Sequence, residues 1–230
     1  MMKKYELTNE TIEFRRRKLY RIRALRDFSN VKAGDLGGYI ESEENLSQDG
    51  LCWVSEDARV CGNAWVCDNA RVCGNAQVYG NAQVYGNARV SEDARVSEDA
   101  RVYGNARVYG NAQVSEDAQV YGNARVYGNA QVSEDAQVYG NAWVSEDARV
   151  CGNAWVCDNT DYACISGFGR VQRTTTFFRT VDGTIGVACG CFTGSLDEFR
   201  AKVRETHGDS KFAKEYLMIA DLMEMHFKGE

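Results

Sequence analysis

Valine recurs at every sixth position from Val54 to Val156, and an alanine follows four positions after each valine as far as Ala154. One variable residue separates each alanine from the next valine, and a second variable residue follows the valine. Successive side chains of a strand point to opposite sides, so this alternation predicts short strands with alanine and valine inside. The last two positions of each hexapeptide are Gly-Asn, Glu-Asp or Asp-Asn, which predict a corner. A strict short period predicts a solenoid of stacked repeats.

The eighteen uninterrupted hexapeptides resemble the hexapeptide-repeat left-handed parallel β-helix, in which three hexapeptides form one triangular coil. The resemblance implies a mainly-β chain with about six regular triangular coils over residues 52–159. In such a coil every eighteenth residue lies above the previous one, about 4.8 Å away. Columns of equivalent residues on the three faces can therefore be assigned from the sequence.

The flanking regions break the period and predict caps, because the ends of a solenoid expose unpaired strand edges and an open core. Residues 1–51 are interpreted as an N-terminal cap and an irregular first coil. Residues 18–26 alternate as a strand, with Tyr20, Ile22 and Ala24 predicted to point inward.

Residues 160–230 are predicted to form a small C-terminal α+β module, a hairpin followed by two helices. Strands over 162–180 and 184–192 are expected to meet at Asp182-Gly183, a favourable hairpin turn. Ser195 and Glu198 form a capping box that predicts a helix to about residue 206, and a second helix is predicted over 210–227. Helical spacing predicts one packed stripe on the second helix, with His226 as a packed histidine rather than a ligand. Its members are Phe212, Tyr216, Ile219, Met223 and His226.

Charge and composition exclude several classes of function. The 230-residue chain has a net charge of −6, and the repeat region itself is acidic, which argues against general nucleic-acid binding. No apolar run is long enough to span a bilayer, and the first residues lack the apolar stretch of a secretory signal. We therefore expect a cytoplasmic protein with no membrane partner. The nine cysteines are expected to be reduced, because five of them are variants of one surface position of the repeat.

The chain has only two histidines, His207 and His226, and neither lies in the repeat. The two enzyme classes known on this fold are acyltransferases, which need a catalytic histidine, and γ-type carbonic anhydrases, which need three histidines for zinc. Cys189, Cys191 and His207 offer no defensible nucleophile–base spacing. The sequence therefore predicts a protein that is not an enzyme, with no metal and no cofactor.

One face of the predicted rod favours protein–protein contact. Its outward residues are aromatic or neutral with a single charge, a composition typical of interfaces. The alternative is that tyrosines occupy these positions only as good strand formers. The candidate interface residues are Tyr85, Tyr103, Tyr121 and Tyr139, which we call the tyrosine ladder, with Trp65 and Trp155. Hexapeptide β-helices commonly form trimers, so the resemblance implies a homo-oligomer, with a trimer favoured.

A second face carries four arginines one above the other, the arginine column of Arg71, Arg89, Arg107 and Arg125. Like charges at strand spacing repel, so either neighbouring acids neutralise them or the column is a track for bound anions. A corner stacks three acidic pairs, the acidic column of Glu98-Asp99, Glu116-Asp117 and Glu134-Asp135. It is interpreted as a solvated edge, with Ca²⁺ binding as the alternative.

The C-terminal module contains the main candidate for a ligand site. Arg173, Thr175, Phe177 and Arg179 alternate and are predicted to share one face of a strand. Two guanidinium groups beside an aromatic ring can hold a phosphate and stack a base. The alternative is that these are exposed arginines on an ordinary sheet.

Residues 19–28, residues 34–46 and the Tyr-Gly-Asn-Ala repeats resemble hexapeptide-repeat proteins of phages and prophages of gut bacteria. This resemblance implies a viral protein in the host cytosol. We therefore expect a binding protein that captures a host protein or sequesters a nucleotide-type signal, an anti-defence role. The alternative is a structural scaffold, such as a filament or a virion appendage.

Overall fold

A computed structural model describes residues 3–228 of the chain. It confirms the predicted mainly-β parallel β-helix, with strands at its N-terminal end and a small module containing two helices at its C-terminal end. Six regular coils follow the cap, and the cap strand Leu36–Ile40 brings the solenoid to about seven turns.

The solenoid is built from two-residue strands, three to a coil. In chain order they are β4 (Trp53–Val54), β5 (Arg59–Val60), β6 (Trp65–Val66), β7 (Arg71–Val72), β8 (Gln77–Val78), β9 (Gln83–Val84), β10 (Arg89–Val90), β11 (Arg95–Val96), β12 (Arg101–Val102), β13 (Arg107–Val108), β14 (Gln113–Val114), β15 (Gln119–Val120), β16 (Arg125–Val126), β17 (Gln131–Val132), β18 (Gln137–Val138), β19 (Trp143–Val144), β20 (Arg149–Val150) and β21 (Trp155–Val156). Every third strand pairs in parallel, which gives three faces. Arg89, for example, pairs with Arg71 below and Arg107 above.

Valine and alanine fill the interior as the alternation predicts. Every repeat valine from Val54 to Val156 is 0% exposed. β-branched side chains pack well on a pleated surface, and identical valines stack in register through all coils. The core is therefore one continuous column whose lateral size is set by the repeat unit.

The corners combine a left-handed residue with a hydrogen-bonded ladder. The first corner residue has positive φ whether it is glycine, as at Gly110 (72°), or glutamate, as at Glu92 (60°). A glutamate is strained in this conformation, but Glu92 compensates by accepting the backbone N–H of Gly110 at 2.9 Å. Asparagine, the second corner residue, makes the ladder instead, as from Asn105 Nδ2 to Asn123 Oδ1 at 3.1 Å.

The N-terminal cap extends one face of the solenoid. Strands β1 (Tyr5–Phe14), β2 (Arg17–Ala24) and β3 (Leu36–Ile40) form an antiparallel group, and β3 pairs in parallel with β5. A short 3-10 helix, Glu43–Asn45, follows. The predicted inward residues Ile22 and Ala24 are buried, but the prediction for Tyr20 is wrong. Tyr20 is only half-buried, whereas its neighbour Leu19 is buried on the other side of the strand, in a separate cluster with Tyr39 and Cys61.

The C-terminal module is a four-stranded antiparallel sheet with two helices. A 3-10 helix, Asn159–Asp161, leads into β22 (Tyr162–Phe168), β23 (Arg173–Arg179), β24 (Ile185–Cys189), β25 (Phe192–Ser195), α1 (Leu196–His207) and α2 (Lys211–Lys228). The prediction of two strands over 162–180 and 184–192 is wrong, because each region turns once more. Gly169 and Gly190 have positive φ at these extra turns, whereas the predicted turn at Gly183 is confirmed.

The helices agree with the capping signal but not with the whole predicted stripe. Ser195 and Glu198 form the expected capping box of α1. On α2, Tyr216, Ile219 and Met223 are buried, whereas His226 is exposed and Phe227 is buried in its place. The prediction of a packed His226 is therefore wrong by one position. Neither helix of the described residues is long and apolar enough to cross a membrane.

The module closes the end of the solenoid. Phe178 and Ala188 of its sheet belong to the same buried cluster as the repeat valines. The Arg149 backbone N–H in the last coil donates to Thr176 Oγ1 at 2.9 Å. The open end of the valine core is thus covered by one face of the C-terminal sheet.

The valine column yields a test of the fold. Val108→Ala is expected to lower the free energy of unfolding by about 2–3 kcal/mol, because two buried methyl groups are lost and a cavity remains. Arg107→Ala, at the exposed neighbouring position, is the control and is expected to change it by less than about 0.5 kcal/mol. Urea unfolding followed by circular dichroism measures both, and equal effects would contradict an interior valine column.

Candidate ligand cleft

The four predicted ligand residues do share one face of β23, but that face is covered. Phe177 is 0% exposed and meets Phe199 of α1 edge-on, with ring centroids 6.0 Å apart. Thr175 is also buried, and its hydroxyl donates to Cys189 Sγ at 3.1 Å. The predicted stacking of a base on Phe177 is wrong, because β23 is a central strand between the helices and the solenoid end.

Arg179 has a structural task at the edge of this face. Its Nε lies 3.1 Å from Asp161 Oδ1, and its guanidinium donates to the Phe227 carbonyl oxygen at 2.7 Å. The same guanidinium lies over the Phe227 ring, 5.6 Å from its centroid. Arg179 therefore joins the end of α2 to the start of the module.

Arg173, at the other end of β23, lies at the mouth of a cleft of about 340 Å³. The cleft lies between the C-terminal sheet and the two helices, and its volume is in the range of small-molecule sites. Its lining residues are Arg170, Val171, Arg173, Cys189, Cys191, Phe192, Phe199, Lys202, Val203, Thr206, His207 and Tyr216.

The floor of the cleft is aromatic. Tyr216 meets Phe199 edge-on at 5.8 Å, Phe192 lies 5.7 Å from Phe199, and His207 stacks on Tyr216 at 5.8 Å. Burial, and then the neighbouring Cys189 thiol, raises the pKa of Tyr216 above its ordinary value. The phenol is therefore neutral at physiological pH. The floor is apolar and uncharged, but Phe199 and Tyr216 are only 3% and 6% exposed, so little of either ring face is open.

The rim of the cleft is basic, and among the described residues that line it there is no carboxylate. Lys202 is paired with Glu205 at 2.8 Å. Within residues 3–228, Arg170 and Arg173 take part in no ion pair within 4 Å. Two uncommitted guanidinium groups above an aromatic floor are suited to an anion that carries a flat apolar part.

Two glycines shape this end of the cleft. A Cβ at Gly190 would lie 2.2 Å from a guanidinium nitrogen of Arg173, so the glycine leaves room for that side chain across the turn. The Gly190 carbonyl oxygen also accepts a hydrogen bond from the Arg149 guanidinium. At Gly169 a Cβ would overlap the Tyr216 hydroxyl at 2.1 Å. The sequence signal that was missed is therefore the pair of glycines that turn the chain around Arg173 and Tyr216.

The tyrosine ladder forms as predicted in its geometry. Ring centroids of Tyr85 and Tyr103 are 4.9 Å apart, with the planes at 1°, and the stack continues through Tyr121 and Tyr139 to Trp155. Burial, and then the neighbouring Cys157, raises the pKa of Tyr139 to about 12. Trp65 and Trp155 are 45% and 44% exposed at the two ends. The ladder is thus an ordered, uncharged aromatic strip.

The arginine column is also in register, but its ends differ from its middle. Arg71 donates to Ser29 Oγ at 2.6 Å, and Arg125 lies over Trp143, 4.4 Å from its ring centroid. Trp53, at the base of this face, is buried at 6% exposure under Phe28 of the cap. Within residues 3–228 none of the four arginines forms an ion pair with a corner acid.

All nine cysteines are free thiols, but their predicted position on the surface is only partly right. Cys61 and Cys151 are buried because the N-terminal hairpin and the C-terminal module cover these ends of the rod. Burial, and then Asp68, raises the pKa of Cys67 to about 12. Cys191, in contrast, is exposed at the cleft. Within the described residues, no three His, Cys, Asp or Glu side chains are grouped as potential metal ligands.

Comparison with known proteins supports the repeat fold. Five segments match the family model described as the YdcK beta solenoid repeat, at residues 64–80, 82–98, 100–116, 118–134 and 136–152. The matched segments lie inside the solenoid, so neither the cap nor the C-terminal module is covered. No curated protein matches the chain. The chain is therefore a β-solenoid repeat protein, and the cleft lies in its unmatched part.

Thiol labelling tests the placement of the cysteines. In the native protein at mildly alkaline pH, Cys191 is expected to react first with a disulfide reagent, because its thiol is exposed. Cys157 is expected to react more slowly, because its hydrogen bond to Asp161 raises its pKa. Peptide mapping is expected to find the buried thiols labelled only after unfolding, namely Cys52, Cys61, Cys67 and Cys151. Rapid native labelling of Cys61 would contradict its burial under the hairpin.

Proposed function

We propose that this chain is a non-enzymatic binding protein, in which a rigid β-solenoid carries a C-terminal module that holds a small anionic ligand. The observation that carries the proposal is the cleft, which Arg170 and Arg173 line together with Phe199 and Tyr216, and in which neither arginine forms an ion pair within residues 3–228. A nucleotide-type molecule has both required parts, a phosphate for the guanidinium groups and a flat base that fits the apolar cleft.

The groups in the cleft support binding more than chemistry. The Cys189 sulfur accepts the Thr175 hydroxyl at 3.1 Å, and the His207 ring stacks on Tyr216. Nucleophilic catalysis needs a thiol in hydrogen-bond contact with its base, and within residues 3–228 neither Cys189 nor Cys191 is hydrogen-bonded to His207. We therefore propose that the cleft binds its ligand and does not convert it. The resemblance to phage proteins favours a defence signal of the host as this ligand, in the host cytosol.

The solenoid contributes the second part of the proposal, which is assembly. The tyrosine ladder is ordered and uncharged, and Tyr103 and Tyr121 hydroxyls donate to Gln119 and Gln137 at 3.2 and 3.1 Å. Aromatic side chains with satisfied polar ends are typical of interface cores. We propose that this face joins copies of the chain, with a trimer favoured. Capture of a host protein by the same face is the alternative partner.

A structural scaffold is the second candidate function. It is favoured by the uniformity of the rod, because successive coils repeat the same three strands and the same three outer faces. A scaffold role makes no use of the cleft, so ligand binding distinguishes the two candidates.

Calorimetry with a panel of cyclic and linear nucleotides tests the cleft. Arg173→Ala is expected to weaken binding about tenfold or more, since a charged hydrogen bond to phosphate contributes about 1.5–3 kcal/mol. Arg179→Ala is the matched control on the same strand and is expected to leave affinity unchanged, because that guanidinium is bonded to Asp161 and Phe227. Absence of binding by every nucleotide would favour the scaffold. Binding that survives loss of both Arg170 and Arg173 would place the site elsewhere.

Light scattering at about 0.5 M salt, where exposed charge contacts are screened, tests the assembly. Tyr103→Glu with Tyr121→Glu is expected to convert the oligomer to monomers, because two charges would be buried without partners. Tyr109→Glu with Tyr127→Glu is the matched control, since these tyrosines stack at 5.1 Å on the arginine face. A wild-type monomer, or an oligomer that withstands the ladder variant, would contradict the proposed interface.

A further inference from the structure

The arginine column and the acidic column lie on opposite sides of the solenoid. The arginines belong to the face formed by β7, β10, β13 and β16, and the acidic corner joins the other two faces. Arg107 and Glu116 are nine residues apart, which is half of the eighteen-residue coil that separates Arg107 from Arg125. The cross-section therefore has a positive face and a negative edge opposite to it.

The two columns also lie at the same heights along the rod. The coil that begins at Arg89 contains Glu98-Asp99, the next contains Glu116-Asp117, and the coil that begins at Arg125 contains Glu134-Asp135. In the first, second and sixth coils the equivalent corner is Gly-Asn. Three successive coils thus each carry one arginine of the arginine column and one acidic pair of the acidic column. These groups occupy equivalent positions in all three coils.

The side chains of both columns are accessible. Arg89 and Arg107 are exposed, and Arg125 is half-buried over Trp143, where it forms no ion pair within residues 3–228. On the corner, four exposed carboxylates accept no hydrogen bond from any other group within residues 3–228. They are those of Glu116, Asp117, Glu134 and Asp135.

We propose that a second copy of this chain docks its acidic column on the arginine column of the first, with the two rods parallel and in register. The two columns have the same repeat distance because both follow the inter-coil ladder, so three guanidinium–carboxylate contacts form together. A guanidinium group is planar and can donate two parallel hydrogen bonds to one carboxylate. This geometry favours a carboxylate as the partner of each arginine.

The contact is heterologous, because each copy uses one surface to donate and the opposite surface to accept. Every added rod leaves a free arginine column at one side and a free acidic column at the other, so the association is open-ended and produces a row of parallel rods. This inference does not rest on the ligand cleft or on the tyrosine ladder, which use other surfaces.

The net charge of −6 and the neighbouring corner acids Glu92 and Asp93 oppose the contact. The association is therefore governed by local charge pairs against overall repulsion, and it is expected to depend strongly on salt. Exposed pairs are effective at about 0.05 M salt and largely screened at about 0.5 M.

Sedimentation velocity over a range of protein concentrations tests the proposal, in a Tyr103→Glu, Tyr121→Glu background that removes contacts through the ladder. At about 0.05 M salt this protein is expected to form species that grow with concentration, and at about 0.5 M these are expected to dissociate. Arg107→Glu with Arg125→Glu is expected to weaken the association at least about tenfold. The matched control is Arg204→Glu with Lys214→Glu, two exposed positions on the C-terminal helices. It changes the net charge equally, leaves both columns intact and is expected to associate like its parent.

Reversing the charge of the acidic column is the experiment that complements the arginine variants. The variant Glu116→Lys, Asp117→Lys, Glu134→Lys, Asp135→Lys removes no hydrogen bond that these side chains accept within residues 3–228, and alone it is expected to lose the association. Mixed with the Arg107→Glu, Arg125→Glu protein, it is expected to associate again, because each variant now offers the charge that the other needs. A parent that stays monomeric at low salt, an arginine variant that associates like the control, or a mixture that does not recover would each overturn the proposal. Circular dichroism of each variant verifies that the solenoid is folded.

Discussion

Each coil of the solenoid donates its backbone N–H groups to carbonyl oxygens of the coil that follows, as from Arg89 N to Ala106 O at 2.9 Å and from Ser91 N to Val108 O at 3.0 Å. Buried backbone groups must be paired, so this ladder holds every coil in one register relative to the next. The register in turn superposes valine on valine in the core and each variable residue on its counterpart outside. Surface chemistry and core packing therefore follow from one repeated set of hydrogen bonds.

Strict superposition has opposite consequences for different side chains. Stacked tyrosines at 4.9 Å and asparagine ladders at about 3.1 Å gain favourable contacts from the register. Stacked arginines gain repulsion, which is offset at the ends by Ser29 and Trp143 but by no ion pair of Arg89 or Arg107 in the described chain. Columns that stabilise the rod need no external partner, whereas an uncompensated charged column is stabilised when an opposite charge arrives. This difference separates structural columns from candidate binding surfaces.

The solenoid was predictable from the sequence because its determinants are local and repeated eighteen times. Alternation assigned the inside and outside of each strand, and the period assigned the columns. The cap and module were less predictable, because there the β1–β2 hairpin packs on the outside of the first coil and buries Leu19, and one extra turn divides a predicted strand. For the cleft, alternation placed Arg173 and Phe177 on one face correctly. The alternation does not predict where α1 packs. In the structure α1 covers Phe177 and leaves Arg173 at the opening of the cleft.

A regular solenoid also limits where selective binding can arise. Its faces are flat and its corners convex, because every coil repeats the same short strands, and small ligands need concave sites that bury most of their surface. Concavity appears where the period ends, since Gly169 and Gly190 turn the chain, and two helices then pack over one part of a sheet. The Arg149 guanidinium of the last coil is bonded to the Gly190 carbonyl, so the turn beside the cleft is attached to the rod. The rod therefore provides rigidity and repeated lateral surfaces, and the non-repeating module provides the shape that discriminates among ligands.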